Sequence, residues 1–214
     1  KDPEFWPYNL PGSPRSLRLF YAWLELLFGW IVTPWLYSIR TTRAWPALNH
    51  ATRRRLVIEW LFLAVFWAAI LAAVGWTNTW TWFLVGHFVP AWITGSVQTL
   101  RKFTEHLGRF GNTIQEMTRT VVYTRPLGRA ASSSQLHVEH HGTHHRWPRI
   151  PYHNLPAATP MVYKDAQPGM VFPNHLAAIR DMLPHLADPK LGPQWIAAGQ
   201  RPKLKRQQDS APAI

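Results

Sequence analysis

The run "LVIEWLFLAVFWAAILAAVGW", residues 56–76, decides how the chain is read. It holds one acid, Glu59, near its first turn and no other charge. Coiled as a helix at about 1.5 Å per residue it reaches about 30 Å, the thickness of a bilayer's hydrocarbon core. A second apolar run, "WTWFLVGHFVPAWITGSVQTL" (residues 80–100), follows after only Thr77, Asn78 and Thr79. Trp76, Trp80 and Trp82 flank this uncharged turn, as aromatic rings do at a membrane–water interface. The far ends hold the charge: Arg40, Arg43, Arg53, Arg54 and Arg55 before the pair, Arg101 and Lys102 after it. By the positive-inside rule both ends are cytoplasmic, which predicts a transmembrane helical hairpin at about 56–100.

Upstream, "FYAWLELLFGWIVTPWLY" (residues 20–37) is also apolar, but Glu25 and Pro34 interrupt it and Arg15, Arg18 and Arg40 flank both ends. That pattern predicts a helix lying in the interface or dipping in and out of it, with a third span as the alternative. His87 and Pro90 fall inside the second run, where polar side chains are functional candidates by default. A histidine bonded to a neighbouring helix beside a proline kink is the preferred account of them.

The 214 residues suffice for one domain. From about residue 101 the chain turns polar and proline-rich. Its net charge of +12 crowds at the ends of apolar runs, so it reads as lipid contact and topology. No aromatic-basic groove or zinc-finger spacing accompanies it, and nucleic acid is excluded as a partner. With no cysteine there is no disulfide, thiolate site or iron–sulfur cluster, and any metal must be held by nitrogen and oxygen. No signal peptide is present, and the opening "KDPEFWPYNLPGSP" reads as the middle of a longer polypeptide.

The polar half concentrates its histidines. "QLHVEHHGTHHRWPRIPYHNLP" (residues 135–156) places His137, His140, His141, His144 and His145 at i, i+3, i+4, i+7 and i+8, one face of a helix. Ser132, Ser133 and Ser134 would cap that helix and Pro148 would end it. Imidazoles at this spacing converge on one ion, and neutral imidazole suits iron, zinc, copper or nickel. Glu139 would orient a ligand or, second in preference, ligate directly. The competing reading is a solvated, pH-sensing basic patch. Against it stands "RKFTEHLG" (residues 101–108), which puts Glu105 and His106 directly after the second run, on the stripe's predicted membrane face. His106 is therefore a further candidate ligand.

These segments together resemble the membrane fatty acid desaturase superfamily, integral membrane di-iron enzymes with histidine boxes HxxxH, HxxHH and a late (H/Q)xxHH. "LHVEHH" with "PRIPYHNLP" is similar to the late box and its Pro-Tyr-x-x-Leu tail, and "RKFTEHLG" to the segment that contributes a further histidine. "KDPEFWP" is similar to the acidic Asp-Pro segment after the second box. The resemblance spans residues 1 to about 156. It implies His106, His137, His140 and His141 as metal ligands, with no catalytic side chain separate from them, and Glu105 and Glu139 behind the ligands. An alternative register of the late box uses His141, His144 and His145. It also implies two iron ions, dioxygen as co-substrate, a ferredoxin or cytochrome b5 type electron donor, and a membrane lipid or acyl substrate. The implied location is an integral position in a bacterial inner membrane with the boxes cytoplasmic.

HxxxH and the middle HxxHH are absent, and neither His50 nor His87 lies in a box. The chain thus reads as the C-terminal part of a desaturase, inactive alone, its first two boxes preceding Lys1. The expected fold is an all-α membrane protein: a transmembrane helical hairpin plus an interfacial helix, with a cytoplasmic helical histidine-box cap at about 101–156. Residues 157–214 read as a cytoplasmic C-terminal extension, partly disordered. In it Asn174 caps a short amphipathic helix, and Lys203, Lys205 and Arg206 lie near lipid headgroups. His153, His175 and His185 are read as surface residues, and Arg119 and Arg125 as solvated loop charges before substrate or redox-partner contacts. Rival functions are a carotenoid ketolase or hydroxylase, or another lipid hydroxylase, of the same superfamily. A rival of another class is a non-enzymatic membrane protein that binds metal. Chain length, bond position and oligomeric state are not written in the sequence.

Overall fold

The computed structural model describes residues 12–166 and 168–193. The "KDPEFWP" segment and the basic tail with Lys203, Lys205 and Arg206 lie outside the described residues. The described chain is all-α, apart from four two-residue strands, and its residues divide into two compact units: 23–99, and 12–22 with the described residues from 100 to 193.

Two helices supply the first unit's length: α1 (Arg15–Ala44) and α2 (His50–Thr77). The Asn49 side chain accepts from the Thr52 N–H to start α2. Asn78, left-handed at φ 50°, ends it, with Asn78 N–H donating to Gly75 and Thr79 N–H to Val74. No residue of α2 is buried, and the helix is apolar all round. Among the described residues, the helical run Arg15–Ala47 and helix His50–Thr77 are the two that are long and apolar enough to cross a membrane by length and composition.

Residues 20–37, expected to lie in the interface, lie within α1. The expected second limb is helical throughout, as α3 (Trp80–Phe83), a π-turn (Leu84–Phe88) and α4 (Val89–His106) in direct succession. Pro90 has no N–H to donate, and the wider turn directly before it relaxes the ladder there. His87 sits in that π-turn, its ring 5.0 Å from Trp67 and 5.2 Å from Phe83.

Within the first unit, α1 breaks at Phe28, whose φ of −128° and ψ of 30° are not helical. The break frees the Leu27 carbonyl, which accepts from Trp92 Nε1 and from Ser96 Oγ on α4. Gly29 and Gly95 let the two backbones meet: a Cβ on Gly95 would fall 2.5 Å from Trp30 N.

The second unit gathers short elements after the end of α4: β1 (Phe110–Gly111), α5 (Ile114–Met117), β2 (Thr120–Val121), α6 (Pro126–Ser134), α7 (His141–Arg146), α8 (Leu155–Val162), β3 (Val171–Phe172), α9 (His175–Met182) and β4 (Gly192–Pro193). β1 pairs with β4 and β2 with β3, both parallel. Asn174 caps α9 as the sequence indicates, its side chain accepting from the Ala177 N–H. Val121, Phe172 and Ala178 form a small core, with Tyr123 and Ala177 packed on it.

Arg119 is no solvated loop charge: it is 1% exposed. Its guanidinium bonds Asp181 Oδ2 at 2.7 Å and caps the Thr104 and Leu107 carbonyls at 3.0 and 2.7 Å, around the C-terminal end of α4. Burial lowers its pKa to about 10 against the opposing pull of Asp181, and the group stays charged at neutral pH.

Candidate metal centre

The histidine segment is not one continuous helix. α6 ends at Ser134 in a Schellman motif: His137 N–H donates to the Ser132 carbonyl at 2.9 Å and Leu136 N–H to Ser133 at 3.1 Å. Leu136 and His137 both take left-handed φ, 56° and 53°. The serines expected to start a helix therefore finish one, and a new helix begins only at His141. Ser, at home at either end of a helix, gave the sequence no means to choose. The turn parts His137 and His140 from His141 and His145, giving two groups where the expected stripe gave one.

The backbone of β2 positions both. Arg119 N–H donates to the Glu105 carbonyl at the end of α4, and Val121 N–H donates to the Glu139 carbonyl. Between them the Thr120 side chain accepts from Gly142 N–H at 3.0 Å and contacts Tyr163 Oη at 2.8 Å. Gly142 lies so close to Tyr163 that no Cβ fits there.

The first group is His106, His141 and His145, one ring nitrogen of each within 4.8 Å of the others. Nε2 of His141 lies 2.7 Å from Nε2 of His106 and 2.9 Å from Nε2 of His145. Nitrogens bonded to one ion at about 2.0–2.1 Å stand about 2.9–3.4 Å apart, so this spacing needs only slight expansion to admit one. Burial holds the His106 pKa down at about 3, with neighbouring His145 adding to the effect, and pushes His141 well below its usual range for the same reason, helped by His106. Burial thus favours the neutral form of His106 and His141 at pH 7, the form in which imidazole binds a cation. Glu105 Oε2 stands 3.5 Å from His141 Nδ1, on the ring edge away from the convergence.

The second group is His137, Glu139 and His140. Glu139 is 2% exposed, and its Oε2 has no hydrogen-bond partner. A buried carboxylate oxygen left bare in this way is costly unless a cation meets it. His140 Nε2 is 3.9 Å from Glu139 Oε1, and burial lowers the His140 pKa although Glu139 opposes it. The donor set of nitrogen and oxygen fits a transition metal such as iron.

Of the expected ligands, His106 and His141 therefore come together with His145, from the alternative register, while His137 and His140 join Glu139. His144 is exposed and joins neither group. Among the histidines read as surface residues, His153 is exposed; His185 is half-buried, packing on Gly108. His175 is also half-buried, bonded through Nδ1 to Tyr123 Oη at 2.6 Å, and burial lowers its pKa. Ser132, Thr159, Thr120 and Tyr163, which hold the site together, carry no motif of their own in the sequence.

A family model described as fatty acid desaturase matches residues 1–176. A chain matched over that extent, with histidine and carboxylate groups gathered this way, belongs to the fatty acid desaturase family of histidine-box di-iron proteins. No curated protein and no solved structure gave a significant match.

Proposed function

We propose that this chain supplies part of the iron centre of a membrane-bound fatty acid desaturase, which removes two hydrogens from an acyl chain with dioxygen to leave a C=C bond. The observation that carries this reading is the convergence of His106, from the end of α4, with His141 and His145, from α7, in a chain of this family. Their Nε2 atoms would hold one metal; His137, His140 and Glu139 offer a second set. Iron, when bound, supplies the dioxygen activation and oxidising power that amino-acid side chains lack. The protein's own part is to keep His106 and His141 neutral by burial, to aim them through β2, and to hold Glu105 beside His141 and Glu139 beside His140.

The family's pair of irons takes more imidazoles than these two groups hold. This chain alone is expected to retain at most one metal, weakly, and to show no desaturase turnover. Placement in a membrane is supported by α2, an apolar helix of 28 residues with none buried, and by the arginines at its start. The electron donor would be a ferredoxin or cytochrome b5 type protein on the cytoplasmic side.

Product mass tests the reading. Membranes of cells producing this chain together with polypeptide that supplies the remaining histidine ligands, given reduced donor and dioxygen, are expected to yield a lipid lighter by two hydrogens, and membranes with this chain alone are not. A gain of oxygen would make the protein a hydroxylase or ketolase. Metal binding with no lipid product would make it a non-enzymatic metal protein.

A further inference from the structure

The second group shows which nitrogen of each ring carries the proton. Thr159, on α8, is 4% exposed, and its Oγ1 stands 2.8 Å from the Leu155 carbonyl, 2.9 Å from Thr143 Oγ1 and 2.7 Å from His140 Nδ1. A carbonyl can only accept, so the single hydroxyl proton goes to Leu155. Thr159 must then accept from both other neighbours, and His140 Nδ1 must carry its hydrogen. Ser132 repeats the arrangement. Its hydroxyl donates to Glu139 Oε1, which as a carboxylate can only accept, and stands 2.6 Å from His137 Nδ1. His137 Nδ1 is left as the donor there too. In both rings the proton is drawn to Nδ1, and Nε2 is left bare.

We propose that Ser132 and Thr159 are positioning residues that fix His137 and His140 as Nδ1–H tautomers, leaving Nε2 of each ring bare to take a metal beside Glu139. The assignment rests on the metal-centre reading for its purpose and on hydrogen-bond direction alone for its content. A hydroxyl with its own donor already committed is a one-way acceptor, and it selects a tautomer as firmly as the carboxylates and carbonyls that usually back metal-bound histidines.

The test uses the full chain, metal-free and labelled with nitrogen-15 in its histidine rings, in detergent micelles. Long-range proton–nitrogen correlation spectra are expected to show Nδ1–H and bare Nε2 for both His137 and His140. Thr159→Val is expected to turn His140 into a tautomer mixture and leave His137 unchanged. Ser132→Ala is expected to do the reverse, and Thr159→Ser to restore the wild-type pattern. A merely structural role would lower stability in these variants without moving a ring proton. Nε2–H rings in the wild type, or ring spectra indifferent to both substitutions, would overturn the proposal. In a second arm, titration with Co(II) is expected to show affinity about 10–100-fold weaker in Thr159→Val and Ser132→Ala, and near wild type in Thr159→Ser. Equal affinity in all four proteins would also overturn it. A wild-type chain with both predicted tautomers that takes up no Co(II) would count against the metal-centre reading and leave the hydroxyl assignment standing.

Discussion

Replacing Gly142 by alanine probes the joint on which α7 sits. The new Cβ would overlap Tyr163 Oη, fall 2.7 Å from Thr118 Oγ1 and lie 3.0 Å from Tyr163 Cζ. None of these is the loose end of a flexible chain: Tyr163 is buried, and its hydroxyl is 2.8 Å from Thr120 Oγ1. Overpacking of this kind costs about 1–3 kcal/mol. If Tyr163 yields, the buried hydroxyls it leaves unsatisfied cost about another 1–3 kcal/mol. Together Gly142→Ala should destabilise the chain by about 2–6 kcal/mol. Tyr163→Phe removes the clashing atom and should cost only about 1 kcal/mol by itself. The double variant should then be more stable than the two single losses imply, with a coupling of about 1–3 kcal/mol. Chemical denaturation in micelles, followed by near-ultraviolet circular dichroism, reads all four proteins. A Gly142→Ala chain within about 0.5 kcal/mol of wild type, or strictly additive losses, would refute the packing argument.

Acid should unfold the second unit early. His106 is held at about 3 in the folded chain, and His140 and His141 are lowered too, against about 6.5 when unfolded. The unfolded state therefore binds more protons between these values. Stability is full above about pH 6.5 and is lost as pH falls toward 3. A denaturation midpoint flat from pH 7 to pH 4 would contradict this. Arg119→Ala uncovers the Thr104 and Leu107 carbonyls near the end of α4 and should cost about 2–5 kcal/mol in the same assay. Loss of less than about 0.5 kcal/mol would show that the guanidinium is not their cap.

Much of this site was legible in the sequence, for identifiable reasons. Apolar length marks α2 because a run of about 20 apolar residues suits a long helix that is apolar on every side. The pairing of His106 with the late box was visible because "EH" follows directly on an apolar run. The 3.6-residue period failed at residues 135–140 because periodicity cannot register a left-handed turn. Leu136 and His137 adopt one without a glycine to announce it, and Ser132, Ser133 and Ser134 suit either end of a helix. Arg119 looked like a loop charge because its partners lie far along the chain, at Asp181 and at the backbone of α4. Thr159 was invisible for the same reason: a hydroxyl on α8 acquires a role only when α7 packs beside it.

The central claim is that nitrogens from the end of α4 and from α7 share one ion. X-ray absorption of the full chain loaded with one equivalent of Fe(II) measures this most directly. The account predicts imidazole scattering that weakens in His106→Ala and again in His145→Ala, and is unchanged in His144→Ala. A shell of oxygens alone, or imidazole scattering indifferent to His106→Ala, would contradict it.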